Sequence, residues 1–287
     1  MLSYRHAFHA GNFADVHKHS VLSLLLLALR KKAAPFCCID THAGAGRYDL
    51  NSAEAQKNRE YSNGISRLWG RNDVPPAFDS YLTAVRALNE KTAPMADGLA
   101  APRYYPGSPR IVRHHLRPQD RLILTELHST DVVNLRNEFK GDPQVAVHHL
   151  DGYQGLKAFL PPKEKRGLVL IDPAFELHDE VERAVHGLHA AWQRWPQGIY
   201  AFWYPITHCT FAQDIHQRAI KLGIDKMLIA EIYLRPPQSA RRLNGSGMLI
   251  VNPPWQIDVS LNEVCQWLAV ALADDGGQAR VEWLTPE

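Results

Sequence analysis

An apolar run, Leu168-Val169-Leu170-Ile171, ends directly on Asp172-Pro173-Ala174-Phe175. Residues of these types in this order can take hold of an amine attached to a conjugated ring. Such a nitrogen is a poor nucleophile because its lone pair is delocalised. A carboxylate and a backbone carbonyl that each accept one of its hydrogens push it toward tetrahedral geometry and free that pair. Asp172 supplies the carboxylate and Pro173 a carbonyl on a stiffened turn. Phe175 offers a face on which the ring can stack, a contact worth about 1–3 kcal/mol. The plain alternative is an ordinary strand-to-loop turn.

Three further segments carry chemistry of a second kind. Phe36-Cys37-Cys38-Ile39-Asp40 runs into Thr41-His42-Ala43-Gly44-Ala45-Gly46, whose small residues let a tight turn bring backbone N–H groups close to a ligand. The third glycine of a dinucleotide fingerprint is missing, since Asp49 stands in its place, so Gly44 and Gly46 point to a nucleotide-like cofactor without specifying it. Leu122-Ile123-Leu124-Thr125 ends on Glu126, where an acid can accept hydrogen bonds from two ribose hydroxyls; that identifies a ribose, and NAD would serve as well. Val145-Ala146-Val147-His148-His149-Leu150 ends on Asp151-Gly152, which reads either as a contact to an adenine amine or as a plain turn.

These acids need one scaffold to bring them together. Short apolar runs that end on acids and alternate with helical stretches are the pattern of parallel strands in βαβ units, and open α/β sheets bind ligands outside the carboxyl ends of their strands. Gly198 to Tyr204, Met227 to Leu234 and Met248 to Val251 add strand candidates, giving about seven. The last two are joined by too few residues for a helical crossover and read as an antiparallel pair. The expected fold is therefore α/β and Rossmann-like, with a mostly parallel sheet carrying one antiparallel strand, the variation used by class I methyltransferases.

About eighty residues separate the first acid-ended strand from the second, which implies an insertion. Ser62 to Trp69 and Pro75 to Asn89 have helical apolar spacing, with Ala77, Tyr81, Leu82, Val85 and Leu88 on one face of the second. Ala93 to Pro102 reads as the return linker. The expected organisation is an N-terminal segment and helix over 1–34, a core of 35–51 and 104–287, and an inserted helical subdomain over 52–103. The helix Ser20 to Arg30 is apolar nearly all round and should be buried, with Lys18 and His19 just before it, near the catalytic edge.

Composition narrows the class. Apolar residues make up 45% of 287, enough for a full core, and the net charge of +2 permits nucleic-acid binding without demanding it, so any basic surface must be local. Four cysteines, two adjacent in an apolar run, lack metal or disulfide spacing and read as buried thiols in a reducing cytosol. Val21 to Leu29 is too short to span a bilayer, and nothing resembles a signal peptide; the expected compartment is the cytoplasm. His6, His9, His17, Lys18 and His19 invite a metal reading, but no further ligand cluster supports one, and no metal is expected.

The block Asp172 to Phe175 resembles the Asp/Asn-Pro-Pro-Tyr/Phe signature of amine methyltransferases. The whole chain is similar to the RlmJ family of 23S rRNA adenine-N6 methyltransferases. The matching blocks are Met1 to His6, His9 to Asn12, Asp15, Lys18-His19, Asp40 to Tyr48, Tyr104 to Pro109, Thr125 to His128, Trp203 to Pro205, Ser246 to Met248 and Asn252 to Trp255. The resemblance implies that His19, His42, Gly44, Ser108, Glu126, Asp151, Gly152 and Asp172 line a site for S-adenosylmethionine. It implies that Asp172, Pro173 and Phe175 are catalytic, and that Tyr4, His6 and Lys18 belong to a segment that closes over cofactor and base. It further implies that the substrate is 23S rRNA, naked or unfolded and not in the assembled subunit. The target base must be flipped out or single-stranded. This chain has Ala174 and Phe175 where the family has Pro and Tyr. Phenylalanine keeps the stacking face; alanine loosens the turn but leaves the Pro173 carbonyl.

Three alternatives stay open. DNA adenine or a protein glutamine could be the acceptor, though glutamine enzymes favour Asn at the position of Asp172. An NAD-dependent oxidoreductase would share the glycine turn and Glu126 but gives Asp172-Pro173-Ala174-Phe175 no role. An RNA-binding module that lost catalysis through Ala174 would bind RNA and transfer nothing.

Overall fold

The computed structural model describes residues 4–90, 102–235, 243–274 and 276–286. Most of the linker expected over Ala93 to Pro102 lies outside them, as do Met1 to Ser3. The strands are β1 (Cys37–Asp40), β2 (Arg47–Asp49), β3 (Tyr104–Pro106), β4 (Arg121–Glu126), β5 (Val145–His149), β6 (Gly167–Ile171), β7 (Ile199–Ile206), β8 (Met227–Tyr233), β9 (Gly245–Val251) and β10 (Gln278–Thr285). The helices are α1 (Phe13–Arg30), α2 (Ala53–Asn58), α3 (Pro76–Asn89), α4 (Ser108–His115), α5 (Ser129–Glu138), α6 (Gly152–Phe159), α7 (Glu180–Arg194), α8 (Cys209–Ile220) and α9 (Ile257–Leu272).

One sheet of eight strands, ordered β10-β8-β9-β7-β6-β1-β4-β5, forms the middle layer. The sequence pattern implied about seven strands and one reversed. In the structure β9 runs antiparallel to both β7 and β8, as the short connection required, and β10 adds a second reversed strand by pairing antiparallel with β8. The extra strand escapes a pattern search because Gln278 to Thr285 is half-exposed at the sheet edge and carries Arg280 and Glu282 among its apolar residues.

Alternation along the strands divides the core. Cys38, Leu122, Leu124, Leu168, Leu170 and Met248 face α1, α3, α4 and α9. Cys37, Ile39, Val169, Ile171, Phe202 and Leu249 face α6, α7 and α8. Over the central strands both faces are covered, which is why β1, β4, β6, β8 and β9 read as continuous apolar runs.

Helix α1 begins seven residues earlier than its apolar pattern suggested. Asn12 caps it, its side chain accepting the Asp15 N–H at 2.9 Å. Asp15, His17, Lys18 and His19 are thus inside the helix and buried. They looked like a polar lead-in because polarity usually signals solvent; here each is paired with another buried group. The helix lies over β6, β7 and β9.

The segment between β2 and β3 leaves and re-enters through that two-stranded sheet, where Arg103 grips Asp49 with two hydrogen bonds of 2.9 Å. Helix α3 forms where expected and buries Phe78, Tyr81, Leu82, Ala84 and Val85, while Ala77 and Leu88 are only half-buried. Ser62 to Trp69 is not a helix but two single 3₁₀ turns, Glu60–Asn63 and Ile65–Arg67. Gly64 splits them, because its backbone passes Gly11 so closely that a Cβ there would sit 2.1 Å from the Gly11 carbonyl oxygen. Tyr61, Ile65, Phe78 and Tyr81 belong to the same core as α1 and α9.

Candidate active site

A cavity of about 710 Å³ opens at the carboxyl ends of β1, β4, β6 and β7, under the first turns of α1. The sequence-expected residues Tyr4, His6, Lys18 and His19 line it from the N-terminal side, and His42, Gly44, Ser108, Glu126, Asp151 and Gly152 from the sheet edge. Asp172, Pro173 and Phe175 complete it. All of them therefore share one space.

A chain of hydrogen bonds crosses the catalytic half. Tyr4 Oη lies 2.8 Å from His6 Nδ1, and His6 Nε2 lies 2.8 Å from Asp15 Oδ2. A carboxylate only accepts, so His6 Nε2 carries a hydrogen and donates it to Asp15. Gly11 N–H donates to the same Asp15 oxygen at 2.9 Å. Lys18 Nζ donates to Asp15 Oδ1 at 3.1 Å and to Asp172 Oδ2 at 2.6 Å. Burial alone would push Lys18 toward neutrality, but Asp172 and Asp15 more than offset it and hold its pKa above the usual lysine value. Burial likewise opposes the charge on Asp15, and His6 and Lys18 overcome it, holding that carboxyl well below its ordinary range. Asp15 and Asp172 thus share the Lys18 ammonium, and the Asp172 carboxylate borders the cavity, where it suits a cationic methyl donor and a nitrogen that becomes positive.

The other half is built for a nucleotide-like ligand. Glu126 Oε2 accepts the Gly44 N–H at 2.7 Å and Oε1 the His128 N–H at 2.6 Å, which fixes the carboxylate and leaves each oxygen a second lone pair. Gly44 has φ +60°, and a Cβ there would sit 2.2 Å from the Tyr48 hydroxyl. The glycine turn is therefore required by this backbone. A Cβ on Gly152 would meet the Thr41 carbonyl oxygen at 2.4 Å. Asp151 is the N-cap of α6, its Oδ1 accepting from Tyr153 and Gln154 N–H. Strand β5 ends at His149, so Asp151 belongs to the helix start and not to the strand.

His42 shows how a tautomer is set. Thr41 Oγ1 donates to the Leu170 carbonyl at 3.0 Å, so it must accept from His42 Nδ1 at 2.7 Å, leaving Nε2 unprotonated. Burial lowers the His42 pKa to about 4 and keeps it neutral. His19 donates or accepts through Nδ1 with Tyr105 Oη at 2.9 Å, and Tyr105 meets Tyr81 Oη at 3.0 Å, tying the cavity floor to α3.

Phe175 adopts φ +52°, a conformation unusual for a bulky residue and found where the surroundings impose it. Its ring packs edge-on to Trp203 and Phe211 and offset-parallel to Phe202.

Three residues at the site were assigned no role from the sequence. Asp15 is the hub of the hydrogen-bonded chain; its spacing of three from Lys18 on a helix was the available signal. Trp203 lines the cavity with Lys18 Nζ 5.3 Å from its ring, and its Nε1–H donates to Ser246 Oγ at 2.9 Å, which in turn meets His17 Nδ1 at 2.9 Å. Asp40 is fully buried, with one carboxylate oxygen lacking any hydrogen-bond partner among the described residues. Burial lifts its pKa to about 7, against the Ser108 hydroxyl that lowers it. Nothing in a sequence distinguishes an acid that ends a strand in solvent from one that ends it in a dry pocket.

Residues 33–285 match the family model described as ribosomal RNA large subunit methyltransferase D, RlmJ. The chain belongs to the RlmJ family. Ribosomal RNA large subunit methyltransferase J from Escherichia coli (strain K12) is 44% identical over 291 residues, and its Haemophilus influenzae counterpart 44% over 288, each covering 100% of both chains. A crystal structure of a Legionella pneumophila protein, 33% identical, superposes with a TM-score of 0.85 over 96% of this chain and 98% of its own. Membership in the RlmJ family makes the chain an rRNA methyltransferase and displaces the oxidoreductase reading. Among the described residues no helix is long and apolar enough to cross a membrane, and no group of three His, Cys, Asp or Glu side chains is placed to hold a metal.

Proposed function

We propose that the protein transfers a methyl group from S-adenosylmethionine to the exocyclic N6 of an adenine in 23S rRNA, in the cytoplasm, acting on naked or unfolded RNA. The observation that carries this reading is the sharing of one cavity by Asp172-Pro173-Ala174-Phe175 and the Glu126–Gly44 pair. The residues fit the cofactor: Gly44 and Gly152 hold tight backbone turns along the cavity that a side chain would disrupt, and Glu126 keeps free lone pairs for ribose hydroxyls. Asp151 and Gly152 would meet the adenine ring, and His42, His19 and Ser108 the remainder. When bound, the cofactor supplies an electrophilic methyl on a sulfonium.

The chain's own groups prepare the nucleophile. Lys18 fixes Asp172 Oδ2 and leaves Oδ1 to accept one hydrogen of the amine; the Pro173 carbonyl accepts the other. Both acceptors polarise the nitrogen without removing a proton first, and the Asp172 carboxylate stabilises the positive charge it gains. Phe175 stacks on the base. Tyr4, His6 and Asp15 hold Lys18 in place and link the N-terminal segment, residues 1–34, to the reacting centre. Asp172, an acid and not an amide, favours a base over a glutamine side chain. Residues 52–103 would help to hold RNA. Incubation with labelled cofactor and naked 23S rRNA, assembled subunits or DNA, followed by nucleoside analysis, tests the reading: label in N6-methyladenosine from naked rRNA is expected, and label only in DNA or protein contradicts it.

A further inference from the structure

A second, smaller cavity of about 160 Å³ lies between α6 and α7. Lys157, Arg183, His186 and Arg194 are among its lining residues, and no carboxylate is. Lys157, His186 and Arg194 are exposed, and none has an ion-pair partner among the described residues. On α7 the lining positions 183, 186–187, 190 and 194 recur at helical spacing, so they form one stripe. At 1.5 Å per residue that stripe is about 16 Å long. Gly187 lets the helices close on it, since a Cβ there would fall 2.6 Å from the Tyr153 ring.

The stripe starts at the main cavity. Arg183 and Tyr153 line both spaces, with the guanidinium 5.2 Å from the tyrosine ring centroid and 3.5 Å from Asp151 Oδ2. Lys157, Arg183 and Arg194 along one groove, with an aromatic ring at one end and leading away from a pocket that receives a base, suit a polyanionic strand. The chain's net charge of only +2 makes two exposed cations without an ion-pair partner among the described residues, Lys157 and Arg194, informative on one groove.

Resting on the function proposed above, we infer that the α6–α7 groove binds the phosphodiester backbone of the substrate RNA flanking the target base. Lys157 and Arg194 contact phosphates directly, and Arg183 marks where the strand passes into the catalytic cavity. Phosphate contacts of this kind position the substrate without reading its sequence.

The experiment compares wild type with Lys157→Glu/Arg194→Glu and with Lys31→Glu/Lys32→Glu, a double reversal of equal charge in the turn between α1 and β1. Binding of a naked 23S rRNA fragment is measured by anisotropy over a salt series, with cofactor affinity measured by calorimetry. Both pairs are exposed, so the folds should persist. The groove variant should bind RNA at least tenfold more weakly, with a log–log salt slope shallower by about 1.4–1.8 for two lost phosphate contacts, and with unchanged cofactor affinity. The control should lose far less. RNA binding by the groove variant equal to wild type, or equal losses in both variants, would overturn the assignment. Because binding is the readout, a wild type that binds RNA through the groove yet transfers no methyl would overturn the proposed function and leave the groove standing.

Discussion

Lys18 Nζ lies 2.6 Å from Asp172 Oδ2, closer than to its helical neighbour Asp15 at 3.1 Å. A residue near the start of the chain thus holds the carboxylate that follows β6. Neither charge is fully exposed, and the pair joins the first turns of α1 to the sheet edge where the chemistry is placed.

Lys18→Met should therefore do two kinds of damage. Removing one partner of a buried ion pair costs about 3 kcal/mol, which thermal denaturation would register. Transfer should fall by roughly a hundredfold, as expected for about 2.7 kcal/mol of lost positioning. Lys18→Met/Asp172→Asn should recover part of the stability and none of the transfer. Recovery of both would reduce Lys18 to a structural role.

Glu126→Ala should weaken cofactor binding by roughly tenfold or more in calorimetry, since hydrogen bonds to a charged acceptor are worth about 1.5–3 kcal/mol. Unaltered affinity would remove Glu126 from the cofactor site.

Asp40 predicts a pH effect. Its folded-state pKa, near 7, stands above the ordinary value of 3.8, so within that window the unfolded chain has lost a proton that the folded one keeps. Stability from this group is present at low pH and falls as pH rises toward 7. The melting temperature of Asp40→Asn relative to wild type should therefore climb between pH 4 and pH 7 and level off above. A difference that stays flat would mean that Asp40 is already ionised in the folded protein.

Most of the sheet was legible because parallel strands buried on both faces spell themselves out as apolar runs, with Asp40 and Glu126 ending two of them and Asp172 directly following a third, whereas Asp151 caps α6 two residues beyond the half-buried β5. Helix α1 was half legible. Its apolar portion was plain, but Asp15, His17, Lys18 and His19 satisfy one another and distant partners such as Ser246, and pairings across more than two hundred residues leave no local pattern. The same holds for Trp203, which reads as one more strand residue until its neighbours are known. The 52–103 segment was expected as an inserted helical subdomain; Tyr61 and Tyr81 pack into the same core as α1 and α9, so its deletion would damage folding and not isolate RNA binding. Surface substitutions are the cleaner probe of its role.

The loop after β6 offers a graded series. Phe175→Leu removes stacking and keeps both acceptors, so it should cost less than loss of Asp172. Ala174→Pro should preserve or raise the transfer rate by stiffening the turn, provided the left-handed Phe175 can be retained. A large loss in Ala174→Pro would show that this turn needs its freedom.

The most direct measurement is the single-turnover rate of methyl transfer to naked 23S rRNA by Asp172→Ala and Asp172→Asn, with cofactor saturation verified for each so that weak binding is not mistaken for slow chemistry. Asp172→Ala should show no transfer. Asp172→Asn should retain a small residue of it, because the amide oxygen still accepts a hydrogen bond but lacks the charge that stabilises the developing positive nitrogen. An Asp172→Ala enzyme that transfers at the wild-type rate would contradict the catalytic role of this carboxylate.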